Sequence, residues 1–446
     1  MDDRVRISVS GIRGEVPHAL NVEIVTKLSS AFASYLEKGR IALCRDSRPS
    51  SHMLKMASLS SLMSAGVDAV DFGLLPTPFL QFLLARRKYK GGISFTGGHS
   101  PYTWNAVLLL DADGAYLEAS EGSEVFNVLE SGDFKKVSWS RLGKVEKKDF
   151  PLDNYFHELS RLVDFKRIRD SHFKLVADPC NGALSKYLKD LSEYFDLSLI
   201  SINDDPSKPF PHLPEPNQKN ASQVEAVVKA TDSDLGFLLN SDGSRVSFVD
   251  EKGQALSEEM TFPLCLLSLD HKIKKAVTTV VSSSLSDWVA IKTGISLIRT
   301  RVGQSAVVHS MKADGAEAGG EGSGSFSLIK FSQGYDALLS LVLILDLLAR
   351  EDKKLSDVID PLPVLHMRKI KIDIPPEKTY RIMDRLEDVY SREEPNFIDG
   401  IRINRDKAWF NIRPSLTEFI IRLTIESEHR EIIQSIEEEI RERISV

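Results

Sequence analysis

Cysteine is nearly absent: three residues in 446, Cys44, Cys180 and Cys265, lie far apart and form no CxxC pair. So sparse and odd a set excludes a disulfide framework and a cysteine-rich zinc site. Long hydrophobic runs are lacking too. The longest, Ala337 to Ala349, is interrupted by Ser340 and Asp346. It falls short of the roughly 20 apolar residues a bilayer requires. There is no basic excess, since 57 Lys and Arg stand against 64 Asp and Glu for a formal net charge of -7. That balance argues against nucleic acid as the main partner. Met1-Asp2-Asp3-Arg4 offers neither the basic segment nor the apolar stretch of a signal peptide, so the expectation is a soluble, cytoplasmic protein. Without a secretion signal the sequon Asn220-Ala221-Ser222 carries no weight.

What is present reads as several domains. The hydrophobic fraction of 42% and charged fraction of 27% are those of soluble globular chains. At roughly 100–200 residues per domain, the length allows two to four. Short apolar runs alternate with helical patterns. Arg40–Cys44 reads as a strand, a helix starts near Ser51, and Ala69–Phe72 and Gly92–Phe95 read as further strands. Alternation of this kind predicts an α/β layer with a largely parallel sheet. The rhythm restarts after the charged stretch 144–149 and again near Lys274. The last 80 or so residues differ, with strand-like runs and a final helix carrying Ile432, Ile433, Ile436, Ile440 and Ile444 on one stripe. Such a stripe packs on an antiparallel sheet.

Five loops stand out. Ser10–Gly14 and Thr96–Pro101 belong to the first unit, Asn240–Arg245 to the second, Gly319–Gly324 to the third, and Arg413–Glu418 to the tail. Taken singly, each has an ordinary explanation. The Gly-rich stretch reads as a flexible turn, being neither a Walker loop nor a GxGxxG. Asn240–Arg245 reads as a polar hairpin turn. Arg413, Ser415 and Thr417 are more specific, because a guanidinium fork beside hydroxyls and turn amides cradles phosphate, although a solvated hairpin explains them equally.

The order and spacing of all five loops resemble the α-D-phosphohexomutase family of phosphoglucomutases, phosphomannomutases and phosphoglucosamine mutases. The resemblance covers essentially the whole chain. It includes the connector Phe210-Pro211-His212-Leu213-Pro214-Glu215-Pro216, one residue shorter than the family's FPxxxPxP segment, and Trp104-Asn105-Ala106, similar to a WNALK run. It implies an α/β protein with three similar α/β domains and a C-terminal α+β domain around a central cleft. The expected limits are 1–148, 149–255, 256–364 and 365–446. Members move phosphate between the 1- and 6-positions of a hexose or hexosamine through an enzyme phosphoserine, with magnesium held by three aspartates.

Carried over by position, the binding half is kept. Arg13 matches the first-domain arginine and Gly303 a phosphate-facing turn. Glu321 and Ser323 match the GExSG sugar loop, and Arg413, Ser415 and Thr417 the RxSxTE phosphate loop. Leu416 and Phe419 depart from that last pattern. The chemical half is damaged. The phosphoserine position holds Gly98, the acid/base lysine position holds Leu108, and Asn240 and Ser244 replace two metal aspartates. His99, Asp242 and Arg245 survive. A magnesium site wants several anionic oxygens in octahedral geometry, so metal is expected to bind weakly or not at all. Ser100, two residues beyond the lost serine, is several Å displaced, whereas in-line transfer tolerates little displacement.

The resemblance therefore implies a phosphohexomutase-like pseudoenzyme that binds phosphorylated hexoses or hexosamines. Two alternatives stay open. One is an active phosphoglucosamine/phosphomannomutase-type phosphotransferase. The other is a structural or regulatory subunit with a protein partner or as a homo-oligomer.

Overall fold

Four sheets organise the chain. The computed structural model describes residues 6–8, 11–36, 39–86, 89–415 and 420–445. The first sheet has seven strands, in the spatial order Arg6–Ser8, Gly11–Glu15, Trp104–Leu110, Gly91–Phe95, Arg40–Arg45, Asp68–Leu74 and Val145–Lys147. Sequence patterning predicts a largely parallel sheet here, and the structure corrects that. Only the pairings from Gly91–Phe95 outward to Val145–Lys147 are parallel; the other three are antiparallel. For Gly91–Phe95 and Trp104–Leu110 the cause is loop length. Residues 96–103 are too few for a crossover, so the chain must reverse.

The second and third sheets have four strands each, three parallel and one antiparallel at an edge. Their orders are Val246–Val249, Leu235–Leu239, Lys174–Asp178, Ser198–Ser201 and then Ser296–Thr300, Lys275–Thr279, Ala318–Glu321, Ser325–Leu328. The glycine-rich stretch, expected to be a flexible turn, lies partly in the strand Ala318–Glu321. Its glycines make room: a Cβ on Gly320 would stand 2.4 Å from the Phe262 ring and 2.4 Å from the Ser325 carbonyl.

Helix Ala337–Glu351 is the common core of these three units, with Ala337 through Leu348 all buried. Asp336 caps it by accepting from the Leu338 and Leu339 amides, and the Tyr155 hydroxyl donates to the same carboxylate at 2.8 and 2.9 Å. One apolar cluster runs from Ala42 through Phe82, Tyr155 and Phe237 to Leu362, so the first three sheets share a core. Truncating a central residue such as Leu343 to alanine should cost about 2–5 kcal/mol.

The last sheet is wholly antiparallel, in the order His366–Asp373, Ile420–Ser427, Ala408–Pro414, Ile401–Arg405. Helix Arg430–Ser445 buries Ile433, Ile436 and Ile440 in its separate core. Lys369 fastens this sheet to the third unit, reaching Glu258 at 3.0 Å, Glu259 at 2.7 Å and the Gly322 carbonyl at 3.0 Å.

Candidate functional site

The loop Thr96–Pro101 is held by the turn that follows strand Arg40–Arg45. At the end of strand Arg40–Arg45, Asp46 and Arg48 form a fully buried ion pair. From there the Arg48 guanidinium donates to the Ser241 hydroxyl at 2.8 Å and the Ser100 carbonyl at 2.5 Å. Asp46 accepts from the Thr96 hydroxyl at 2.8 Å, and the Gly98 amide donates to that same hydroxyl at 2.9 Å. Ser241 lies 2.8 Å from the Gly98 carbonyl. A buried charge pair persists only when its remaining hydrogen-bonding capacity is filled. Here the two loops 96–101 and 240–245 fill all of it but the Arg48 Nε donor, and they are thereby locked together. The one signal available was two opposite charges, Asp46 and Arg48, in a turn directly after a buried strand.

Gly98 sits at φ +54, and a Cβ built on it would lie 3.7 Å from Asp242 Oδ2. Gly98, expected at the phosphoserine position, therefore faces Asp242. Asp242 is buried and already well supplied with donors. Its Oδ1 accepts from Asn240 Nδ2 at 2.8 Å, the Ser244 hydroxyl at 2.7 Å and the Ser244 amide at 3.2 Å. Thr77 approaches Oδ2 at 3.4 Å. The orientation of the Asn240 amide is fixed, because its Oδ1 accepts from the Ser244 and Arg245 backbone amides at 2.9 and 3.0 Å. Its NH2 must then point at Asp242. A divalent cation would meet an N–H donor where it needs an oxygen lone pair, so these residues do not fit magnesium. Among the described residues no three His, Cys, Asp or Glu side chains come together as a ligand set.

Leu108 lies in strand Trp104–Leu110 opposite Gly11 and beside Ser94. Alternation places it on the face of Leu110, away from Val107 and Leu109. It is 9% exposed and supplies no proton donor.

The other expected residues converge. His99 has its pKa held well below the ordinary value, first by the Arg245 charge, then by burial, then by Arg13, Arg48 and Arg422. Guanidinium groups from three sheets thus bear on one imidazole. Arg413 lies directly across from Arg422 on the adjacent strand. Burial lowers the Arg413 pKa, Arg422 lowers it further, and Asp399 and Glu321 oppose this. Like charges directly opposite on a sheet are unfavourable, and an anion between them relieves the cost. Glu321 is buried, accepts from the Gly303 amide at 2.8 Å, and stands beside the buried Tyr335. Gly303 itself is at φ +119, a conformation that favours glycine, and opens helix Gln304–Asp314. The Ser323 hydroxyl is 3.0 Å from that of Ser325. The Ser415 amide donates to the Ile420 carbonyl at 2.9 Å. Thr417, with Leu416 and Phe419, lies outside the described residues. Arg48, Arg422 and Tyr335 are the neighbours of this site that sequence reading missed.

Comparison with known proteins decides the family. Residues 5–136, 153–253 and 260–364 match, in turn, the phosphoglucomutase/phosphomannomutase α/β/α domains I, II and III. The chain belongs to the phosphoglucomutase/phosphomannomutase family. It is 31% identical over 431 residues to a probable phosphoglucosamine mutase of Pyrococcus horikoshii, covering 95% of this chain and 94% of that protein. It is 30% identical to a phosphoglucosamine/phosphogalactosamine mutase of Sulfurisphaera tokodaii, covering 97% of each. The crystal structure of a putative phosphomannomutase from Thermus thermophilus superposes with a TM-score of 0.85 at 21% identity, covering 100% of both chains. That likeness shows the family's fold over the full length of the chain.

Proposed function

We propose that this family member binds a hexose or hexosamine phosphate in the cleft and does not transfer the phosphate. One observation carries the reading: the position matching the phosphoserine is Gly98, facing an Asp242 whose Oδ1 already accepts from Asn240 and Ser244. Phosphoryl transfer in this family needs a serine oxygen, a metal and an acid/base group; here Gly98 and Leu108 stand at the first and last positions, and Asn240 and Ser244 replace two of the three metal aspartates. Binding needs less. Arg413 and Ser415, with Thr417, hold the phosphate, while Glu321 and Ser323 take the sugar hydroxyls. Arg13, Arg245 and neutral His99 favour the anion at the far end. Bidentate guanidinium contacts supply both strength and orientation.

The metal is absent from this reading, or weakly held at Asp242. Among the described residues no helix is long and apolar enough to cross a membrane, and a cytoplasmic location belongs with the reading.

A second reading, an active mutase with altered chemistry, is favoured by the names of the relatives at about 30% identity. One experiment separates the two. Purified protein is incubated with glucose, mannose and glucosamine 6-phosphates, sugar 1,6-bisphosphate and magnesium, and the 1-phosphates are assayed. Calorimetry on the same sugars measures binding. Binding without isomerisation is expected. Turnover above the uncatalysed rate overturns the pseudoenzyme reading, and absence of binding overturns the retained cleft.

A further inference from the structure

Away from the cleft, one cluster of nucleophilic and titratable groups plays no part in sugar binding. Strand Lys174–Asp178 ends in a turn where Cys180 adopts φ +53 and Asn181 φ +51. Both are left-handed, a conformation costly for residues with a Cβ. The Cys180 amide donates to Asp178 Oδ1 at 2.8 Å. His212, from the connector, places Nδ1 3.8 Å from the Cys180 sulfur and Nε2 3.1 Å from Asp178 Oδ2. Nδ1 is also 2.7 Å from the Leu213 carbonyl. Both ring nitrogens thus face acceptors. A neutral imidazole has one N–H to give, so this ring carries two. Burial opposes its charge, but the hydrogen bonds to Asp178 and Cys180 prevail and raise the His212 pKa to about 10.

The other cysteines are built differently. Cys44 and Cys265 are buried against Ser94 and Ser340, with no imidazole beside them. Burial pushes the Cys44 pKa up to about 12 and that of Cys265 higher still. An imidazolium next to a sulfur favours the thiolate, the nucleophilic form.

We propose that Cys180 is a modification site: a thiol held against the His212–Asp178 pair that hydrogen peroxide oxidises to the sulfenic acid when the 205–216 connector lifts. The sulfur is fully buried, and its neighbours are the ring and, at 3.7 Å, the carbonyl of His212. The connector has no helix or strand between Ser201 and Gln218, and it exposes Lys208, Pro209, Pro211 and Leu213. In the step, the thiolate attacks one peroxide oxygen and the S–O bond forms as the O–O bond breaks. The leaving hydroxide takes the His212 proton and departs as water. Sulfur loses two electrons and peroxide gains them. The ring ends neutral, with a weaker hold on Asp178. The consequence reaches the cleft loops, because Phe210 of the connector lies 4.7 Å from the Arg48 guanidinium and 4.9 Å from the Tyr102 ring.

The titratable groups facing His212 are Asp178 and Cys180 from the strand end and turn. Asn203, which donates to Asp178, and Gln223, which accepts from Asn203, are neutral, and Asp205 pairs with Lys208 at 3.3 Å. This inference does not depend on sugar binding. The test treats the full-length folded protein with hydrogen peroxide, traps sulfenic acid with a dimedone-type reagent, and maps the adduct by mass spectrometry. Adduct at Cys180 and not at Cys44 or Cys265 is expected, and its rate should fall at least about tenfold in His212→Gln. Adduct at all three cysteines, none at Cys180, or a His212→Gln rate equal to wild type overturns the proposal.

Discussion

Asn240 donates from Nδ2 to Asp242 Oδ1 at 2.8 Å, and the Ser244 and Arg245 amides fix its orientation. The Asn240 amide thus turns an N–H, and not an oxygen, towards Asp242. Replacing Asn240 and Ser244 together by aspartate should reverse this. Three carboxylates would repel one another in the metal-free protein, and magnesium would relieve the repulsion. The double variant should melt below wild type in EDTA and regain stability with magnesium, by about 2.7 kcal/mol at a hundredfold excess over the dissociation constant. Wild type should show no such response in differential scanning calorimetry. An equal magnesium response in both proteins would mean that the amide does not exclude the metal.

His99 reports on the cleft. Its pKa is depressed chiefly by Arg245, so a phosphate dianion among these arginines should raise it. The His99 resonance, followed by NMR against pH with and without mannose 6-phosphate, should titrate higher when the sugar is bound. The sign for stability is opposite to that of a paired histidine. As pH falls below about 6.5 the unfolded chain takes up a proton that folded His99 refuses, so this group disfavours folding in acid. An unchanged His99 titration at saturating sugar would place the anion elsewhere.

His212 behaves the other way. Its folded pKa, about 10, lies above the unfolded value. Its contribution is therefore complete below about pH 6.5 and is lost as pH rises towards about 10. Urea unfolding of wild type and His212→Gln should differ most near about pH 6 and converge at the alkaline end. A difference independent of pH would argue that the imidazole merely fills space.

Much of this was legible in the sequence because it is local. Strand and helix order follows from periodicity, and the stripe Ile433, Ile436, Ile440 announced its own sheet. The candidate loops were legible as an ordered set. Three things were not. The antiparallel half of the first sheet depends on which neighbour a short loop returns to, a pairing that alternation does not encode. Asp46 and Arg48 look like any polar turn until Thr96, Gly98 and Ser241 arrive from other segments. Asp242 reads as one anion left of four, yet its supply of donors from Asn240 and Ser244 is a three-dimensional fact.

Restoring serine at position 98 should not restore a mutase. The site has room, since the nearest atom to a new Cβ is Asp242 Oδ2 at 3.7 Å, but φ +54 is left-handed. Gly98→Ser should fold with a loss of about 1–2 kcal/mol. It should remain inactive with sugar bisphosphate, because Leu108 supplies no proton and no metal offsets the charge between phosphoserine and Asp242. Turnover by this single variant in a coupled assay would show that the chemical half is intact.

Sugar binding, finally, should hinge on Arg413. Its guanidinium is partly buried, stands across from Arg422, and feels the Glu321 carboxylate. A dianion there satisfies two like charges at once. Charged hydrogen bonds contribute about 1.5–3 kcal/mol each, and about 1.4 kcal/mol is a factor of ten, so Arg413→Ala should weaken binding about ten- to a hundredfold. Arg405, at the end of the edge strand Ile401–Arg405, serves as a control, because its guanidinium is engaged by Glu393 and by Glu439 of helix Arg430–Ser445. Its alanine variant should lose stability and keep affinity. Titrating wild type and both variants with the 1- and 6-phosphates of glucose, mannose and glucosamine tests the distinction. If Arg413→Ala binds as tightly as wild type, the phosphate is held elsewhere and the tail loop no longer serves the cleft.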